Sequence, residues 1–399
     1  MLRFVAPAGA PVEISEIIRS AGAAIFNTRG GKELFQPLGA RLKVRHVFGV
    51  SSGRSALALI LRSLVRLSPE RRVVAFPAYT CFTVPAAVVH AQLKIHPVEI
   101  DPATLDCDPG GLEKVPSDGL LCLVSSNLFG LTNDGARLGA AARARGAFFI
   151  DDAAQALGAS RHGSLAGMMG DVGFYSFGRG KALAAVEGAL IVTNSDNIAA
   201  VIREKMSGLP AGSIFHSAWL FLQMLVYSVF LSPRLYWLPN SLPFLKLGST
   251  EFEPGFPDLR MPALVRELLL RLMDKLDEFN RIRRENAFAL AGALERNSSF
   301  TIPRPPADCL PNYIRFPLIA RDEATRDHAI RELHAAGIGA SPFYPGAVCD
   351  IEGIGPHMAV RDFHRPKAED LSRRLLTIPT HPYVQTRDLH TVAKVLGRF

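Results

Sequence analysis

The first half of the chain alternates short apolar runs with stretches that are apolar along one helical face. Residues 55–67, 83–91 and 135–146 have the three- and four-residue spacing of amphipathic helices. This alternation is typical of a mostly parallel sheet covered by helices, in which ligands bind beyond the carboxyl ends of the strands. The runs predicted as strands are residues 73–76, 93–100, 120–126, 147–152, 172–177 and 189–193.

The second half has a different organisation. Residues 262–296 form one long helical pattern, and the segments beyond it predict a smaller α+β unit. We therefore expect an α/β protein with two domains. Residues 1–255 would form the large domain, and residues 256–399 would form the connecting helix and the small C-terminal domain.

One segment departs from this pattern. Residues 218–231 are almost continuously apolar and precede a proline-interrupted stretch, so that residues 216–245 look like an apolar insertion. A run of 14 residues is too short to span a bilayer, which takes about 20. We expect a buried helix or a subunit interface. The alternative is peripheral contact of residues 218–245 with a membrane or a lipid-linked substrate.

Composition narrows the functional classes. The net charge is +8, but the basic residues are dispersed and no nucleic-acid-binding module is recognisable, so nucleic-acid binding is not expected. The five cysteines are scattered and form no CxxC pair, which predicts neither disulfides nor a metal site and favours a reducing, cytoplasmic location. The first residues lack the apolar core of a signal peptide.

A phosphate site is suggested by Ser52, Gly53, Arg54 and Ser55, which immediately precede or begin a predicted helix. The free N–H groups and positive dipole end of a helix N-terminus favour a phosphate. Gly53 would allow close approach of the backbone, and Arg54 could add a charge-assisted contact. For this segment alone, an ordinary serine-capped helix is the better explanation.

The remaining chemistry lies at two strand ends. Side chains alternate along a strand, so only one of Asp151 and Asp152 can face a given ligand. Lys181 follows in a glycine-containing turn, and Ser176 ends the strand before it. A lysine that forms a Schiff base, together with a carboxylate that keeps a pyridine nitrogen protonated, is the pair that pyridoxal 5′-phosphate (PLP) needs.

Several segments together resemble the DegT-type sugar aminotransferases, a branch of the fold-type-I PLP enzymes. The resemblance extends from about Phe48 to the C-terminus and includes FPDLRM, FYPG and LLTIPTHPYV in the second half. The first half contributes SSGRSAL, NLFGLTND, IDDAAQALGA and GDVGFYSFGRGKALAAVEGALIVTN.

The resemblance implies a role for each matching position. Lys181 would form the Schiff base and carry the proton, Asp152 would hold the pyridine nitrogen, and Gln155 would lie beside the phenolic oxygen of PLP. Phosphate contacts are implied for Gly53, Arg54, Ser55 and Ser176. Asp258 and Arg260 would reach the neighbouring subunit's cofactor, which implies a homodimer with shared active sites.

The same resemblance implies a transaminase that uses an amino-acid donor, L-glutamate, and a nucleotide-linked keto-sugar as the acceptor. A dehydratase branch has histidine where this chain has Lys181. Cys81 occupies the position of the aromatic residue that stacks on the cofactor, so Phe82 or Tyr79 would take that place. The alternatives are another reaction or an apolar, lipid-linked acceptor, and a regulatory protein without catalysis.

Overall fold

A computed structural model describes residues 3–26, 35–115, 118–242 and 250–399. Its thirteen strands in this part of the chain are β1 (His46–Val50), β2 (Val73–Pro77), β3 (Lys94–Val98), β4 (Leu120–Val124), β5 (Phe148–Asp152), β6 (Ser160–Arg161), β7 (Ser164–Leu165), β8 (Val172–Ser176), β9 (Ala189–Thr193), β10 (Phe300–Thr301), β11 (Cys309–Leu310), β12 (Phe316–Ala320) and β13 (Leu375–Ile378).

The helices lie between and after these strands. In the described residues they are α1 (Ile14–Phe26), α2 (Gln36–Leu42), α3 (Gly53–Leu67), α4 (Thr83–His90), α5 (Gly135–Ala144), α6 (Asp196–Ser207), α7 (Ile214–Phe230), α8 (Trp237–Asn240), α9 (Ala263–Leu272), α10 (Leu276–Leu294), α11 (Glu323–Ala335), α12 (Pro366–Arg374) and α13 (Thr386–Leu396).

A seven-stranded sheet forms the centre of the larger part, with the order β1-β9-β8-β5-β4-β2-β3. The pairs from β3 to β8 are parallel, whereas β9 runs antiparallel to both β8 and β1. All six predicted strands are present, and the sheet is mostly parallel as predicted. The alternation of apolar runs did not reveal β1, whose sequence HVFGV contains a histidine and a glycine.

Helix α3 packs across the sheet against β8 and β9. Nine of its residues are buried, seven of them consecutive, because α3 is covered by the sheet on one side and by α4 and α6 on the other. The carboxyl ends of β5 and β8 therefore lie close to the first turn of α3. This is the edge at which the sequence places its acidic pair and its serines.

A second sheet, of order β10-β12-β13, belongs to the C-terminal part and is antiparallel. It is covered by α11, which contacts β12 and β13, and by α12, which contacts β12. The predicted long helix over residues 262–296 is interrupted, since a 3₁₀ turn at Met273–Lys275 separates α9 from α10. The predicted division at residue 255 stays a prediction. The N-terminal segment crosses it, because Val5 pairs in parallel with Ile338.

Helix α7 contains the apolar run, and its burial differs from the prediction. Only Leu220 and Met224 are buried in this helix, whereas Trp219 is 58% exposed. The expectation of a helix buried within its own chain is therefore wrong. Residues 243–245 of the predicted insertion lie outside the described residues. No helix in the described ranges is long and apolar enough to cross a membrane.

Candidate active site

A cavity of about 230 Å³ opens where the carboxyl ends of β5 and β8 meet the first turn of α3. Polar groups from distant parts of the sequence converge on it. Six of the ten predicted site residues line this cavity: Gly53, Arg54, Asp152, Gln155, Ser176 and Lys181.

The two carboxylates of the acidic pair point in opposite directions, as the alternation along a strand requires. Asp151 turns away from the cavity, where its carboxylate accepts hydrogen bonds from the Ser125 hydroxyl, the Asn127 amide and the N–H groups of Gly167 and Met169. Asp152 lines the cavity, and its Oδ1 accepts a 2.9 Å hydrogen bond from the Ala154 N–H. Asp152 is thus the member of the pair that is available to a ligand.

Asp152 and Lys181 modify each other's protonation. Burial raises the pKa of Asp152 to about 6, although the Ala154 N–H and the charge of Lys181 act in the opposite direction. Burial lowers the pKa of the Lys181 amine, while the charges of Cys81 and Asp152 raise it and that of Arg315 lowers it further. A lowered pKa increases the fraction of neutral amine, the nucleophilic form of lysine.

A buried arginine of α10 fixes the loop that carries Lys181. The Arg283 guanidinium donates a 2.8 Å hydrogen bond to the carbonyl of Ala182, the next residue in the chain. It also donates to Asn280 Oδ1 at 2.8 Å. Burial lowers the pKa of Arg283 to about 10. The position of the Lys181 backbone is therefore fixed by a side chain from α10.

The opposite end of the cavity is formed by the α3 N-terminus. Ser52 caps the helix, since its hydroxyl accepts a hydrogen bond from the Ser55 N–H. A Cβ atom at Gly53 would lie 3.3 Å from both Cβ and Oγ of Ser176. The space beside Ser176 thus exists because residue 53 has no side chain. Arg54 lies over the Phe256 ring, 4.9 Å from its centroid.

Gln155 connects the cavity to the C-terminal part. Its Oε1 accepts a hydrogen bond from the Phe129 N–H at 3.0 Å, and its amide nitrogen donates to the Tyr344 hydroxyl at 2.8 Å. Tyr344 also lines the cavity. The amide of Gln155 is therefore oriented by contacts from two other segments.

Two predicted residues lie near the cavity without lining it. Ser55 is buried, and its hydroxyl is bonded to Ser52 and faces the Pro257 carbonyl. Phe82 packs into the hydrophobic core at the start of α4. Cys81, its neighbour in sequence, lines the cavity instead. The structure thus does not support Phe82 as the stacking residue.

Asp258 and Arg260 do not line the cavity of their own chain either, and their assignment to a neighbouring subunit stays a prediction. The Asp258 carboxylate accepts a 2.5 Å hydrogen bond from Arg62, and it also lies 3.0 Å from Nε2 of His90. The Arg260 guanidinium donates to the Ser207 carbonyl at 2.8 Å. The partner that neutralises Asp258 is thus Arg62.

The sequence did not single out several polar residues of the site. Thr80 and Ser126 line the cavity, with their hydroxyl oxygens 2.9 Å apart, although they follow different strands. Arg315 is half-buried near Lys181, and the desolvation of its guanidinium lowers its pKa to about 10. The common signal for Thr80 and Ser126 is their position after an apolar run.

These residues fit PLP. The cavity offers a half-buried amine, a carboxylate at the end of the neighbouring strand, and a helix N-terminus beside a serine hydroxyl. The three groups match the aldehyde, the ring nitrogen and the phosphate of PLP, respectively. The missing side chain at Gly53 leaves space for the phosphate end.

Comparisons with known proteins agree with this arrangement. The model of the DegT/DnrJ/EryC1/StrS aminotransferase family matches residues 27–397. This chain belongs to that family. The family resemblance and the α/β fold class that the sequence predicted are thereby confirmed.

Two curated relatives illustrate the range of the family. The UDP-N-acetyl-3-dehydro-alpha-D-glucosamine 3-aminotransferase of Acidithiobacillus ferrooxidans is 26% identical over 96% of this chain and 92% of its own length. The Pleiotropic regulatory protein of Geobacillus stearothermophilus is 31% identical over 42% of this chain, a match that spans 45% of that protein.

Among solved structures, the E. coli GDP-4-keto-6-deoxy-D-mannose-3-dehydratase with bound hydrated PLP superposes with a TM-score of 0.77. It covers 99% of this chain and all of its own length, at 18% identity. Identity this low demonstrates a shared fold, and the site of the present chain has to be argued from its own residues.

Proposed function

We propose that this protein is a PLP-dependent aminotransferase that transfers an amino group from L-glutamate to a nucleotide-linked keto-sugar. The observation that carries the proposal is the pair of the half-buried Lys181 and the buried Asp152 at the wall of one cavity. Membership of an aminotransferase family and the full-length similarity to a nucleotide-sugar aminotransferase support the reaction class.

Bound PLP would supply the electron sink that stabilises negative charge on the substrate carbon during amino transfer. Asp152 would stay ionised beside the protonated ring nitrogen, since opposite charges at close range favour both charged forms. Gly53, Ser176 and the N–H groups of the first α3 turn would bind the phosphate. Arg54 would add a positive charge at this end of the cavity.

Lys181 would have two tasks. Its amine, neutral at a lower pH than that of an exposed lysine, would attach the cofactor. Once released, the same amine would move a proton between the substrate carbon and the adjacent cofactor carbon. Arg283 holds the carbonyl of the following residue and would keep this amine in position.

The assignment of Asp258 and Arg260 to a neighbouring subunit supports a homodimeric enzyme. Both residues lie outside the cavity of their own chain, where Asp258 is held by Arg62 and His90. We expect light scattering to give the mass of a dimer. A PLP-loaded monomer with full activity would contradict shared active sites.

The test of the proposed function is the visible spectrum of the purified protein with PLP, before and after addition of L-glutamate. We expect a yellow protein that bleaches with L-glutamate and recovers its colour with a nucleotide-linked keto-sugar. The Lys181→Ala variant should lose the reduction-stable attachment of PLP and all turnover. Near-normal turnover in that variant would disprove the assignment.

A regulatory role without catalysis is the second candidate. The similarity to the Pleiotropic regulatory protein favours it, although that match spans less than half of either chain. The presence of Lys181, Asp152 and Gln155 in one cavity favours catalysis instead. A protein that attaches PLP but ignores amino donors and keto-sugar acceptors would support the regulatory role.

A further inference from the structure

Helix α7 displays a continuous apolar stripe on the outer surface. The exposed residues Phe215, Trp219, Leu222, Val226 and Val229 follow each other at intervals of four and three positions. This spacing puts them on one face of the helix. We call these five residues the α7 stripe. Phe215 is 83% exposed, and the stripe is thus a surface rather than a part of the core.

The opposite face of α7 packs against the rest of the chain. Leu220 and Met224 are buried in a hydrophobic cluster shared with α9, and the Tyr227 hydroxyl donates to the Ala10 carbonyl at 3.2 Å. The helix therefore has two apolar faces. Packing against the described residues accounts for only one of them.

The charges around the stripe favour an anionic partner. From residue 205 to residue 242 the described chain contains Lys205 and Arg234 and no Asp or Glu. The Arg179 guanidinium also bonds to Gln223 of α7, whereas the acidic Glu187 lies 2.9 Å from Nε2 of His216. The whole chain has a net charge of +8. A region of this composition is attracted to a negatively charged surface more strongly than a typical protein surface is.

The position of the aromatic residues favours a lipid surface. Both tryptophans of the chain lie in this region, Trp219 in the stripe and Trp237 in α8, and both are exposed. Tryptophan is enriched where an apolar phase meets water, because its ring is apolar and its N–H needs a polar partner. The exposed Leu235 and Leu238 extend the apolar area beyond α7.

A second copy of the chain fits the stripe less well. Helices that pair through such a stripe usually carry charged residues beside it, which set the partner and its orientation. Helix α7 contains no Asp, Glu, Lys or Arg. With 17 residues it would be about 25 Å long and, being fixed along its buried face, would lie in the plane of the surface.

We propose that the α7 stripe docks this protein onto an anionic lipid surface. Docking would bring the active-site loop close to the lipid, since α7 is linked to both ends of that loop. The Arg179 guanidinium donates a 2.5 Å hydrogen bond to Gln223, and Glu187 lies 2.9 Å from Nε2 of His216. The inference does not depend on the reaction that the site catalyses.

The test is co-sedimentation of the full chain with phosphatidylcholine vesicles, with and without phosphatidylglycerol, together with tryptophan emission. We expect preferential binding to the anionic vesicles and a blue shift of the emission. The double variant Phe215→Ser/Trp219→Gln should bind at least about tenfold more weakly, since each buried aromatic side chain contributes about 1.5–3 kcal/mol. Phe288→Ser on α10 is the matched control, because Phe288 is also 58% exposed.

Both altered residues are exposed, so the thermal unfolding of the double variant should match that of the wild type. Vesicle binding that is absent in the wild type, independent of lipid charge or unchanged in the double variant would overturn the proposal. A wild-type dimer that the double variant converts to monomers, with no vesicle binding, would assign the stripe to a second copy of the chain.

Discussion

The amide nitrogen of Gln155 donates a 2.8 Å hydrogen bond to the hydroxyl of Tyr344, which lies 189 residues further along the chain. The two residues belong to different parts of the molecule. Gln155 follows the central strand β5, whereas Tyr344 precedes the small-sheet strand β13. Both side chains are buried. This bond is a direct polar connection between the two sheets at the wall of the candidate active site.

Tyr344→Phe should therefore reduce stability. The variant removes the acceptor of the Gln155 amide and leaves a buried donor without its partner, which costs about 1–3 kcal/mol. Denaturant unfolding of the cofactor-free protein would measure the loss. Tyr383→Phe, at a partly exposed tyrosine of the same C-terminal part, is the control and should change the free energy of unfolding by less than about 0.5 kcal/mol. Equal effects of the two variants would contradict the importance of the bond.

The raised pKa of Asp152 predicts a specific pH dependence. Burial raises this pKa from 3.8 to about 6, so between these values the folded cofactor-free protein binds more protons at Asp152 than the unfolded chain does. The contribution of Asp152 to the free energy of unfolding should thus fall as the pH rises from about 4 to about 6. The wild type should lose stability over this interval relative to Asp152→Asn. Parallel pH profiles of the two proteins would show that Asp152 does not titrate in this way.

Two charges near Lys181 should shift its reactivity in opposite directions. Arg315 lowers the pKa of the amine, so Arg315→Met should raise this pKa and move the pH dependence of PLP attachment to higher pH. Cys81 raises it, so Cys81→Ser should move the same profile to lower pH. Attachment can be followed by mass spectrometry after borohydride reduction.

Arg315→Lys keeps the charge and serves as the control for the loss of the guanidinium hydrogen bonds to Ser341 and Thr377. Its profile should stay closer to that of the wild type than the profile of Arg315→Met does. Shifts of the same sign in Arg315→Met and Cys81→Ser would refute the electrostatic explanation.

Gly53→Ala should weaken PLP binding without weakening the fold. The new Cβ would lie 3.3 Å from Ser176, in the space assigned to the phosphate. Alanine is the better helix former by about 1 kcal/mol, and residue 53 is the first residue of α3, so stability should be kept or increased. We expect an increase of about tenfold in the dissociation constant of PLP, equivalent to about 1.4 kcal/mol.

Gly178→Ala is the matched control, because its Cβ would meet Ser176 Oγ at an ordinary distance of 3.8 Å. Fluorescence titration of both variants with PLP gives the comparison. Equal affinities of the two variants would place the phosphate elsewhere.

The sequence alone could predict most of the central sheet and the orientation of its acidic pair. The buried strands are apolar runs bounded by helical patterns, and strand alternation already requires Asp151 and Asp152 to point in opposite directions. The antiparallel pairing of β1 and β9 was beyond its reach, because residues 46–50 carry no strong strand signal and their partner lies more than 140 residues away.

The errors at the site have a related cause. Phe82 was proposed because it follows Cys81, the position that the resemblance gives to the stacking aromatic, but the turn before α4 directs Cys81 to the cavity and Phe82 to the core. Arg315 precedes β12 and lies more than 130 residues after Lys181 in the sequence, and no local pattern encodes their proximity. The exposure of α7 could not be predicted from the sequence either, because an apolar run occurs both in buried helices and in surface helices with an apolar face.

The pairing of Val5 with Ile338 has a consequence for the synthesis of the protein. The N-terminal segment is tied to the other end of the fold, as the Val5 N–H donates to the Gly337 carbonyl and the Val5 carbonyl accepts from the Gly339 N–H. At a synthesis rate of about 5–20 residues per second, Val5 would leave the ribosome roughly 20–70 s before its partners. Val5 thus reaches its native contacts only after residues 337–339 have been synthesised, and until then the apolar side chains around it depend on chaperones for protection.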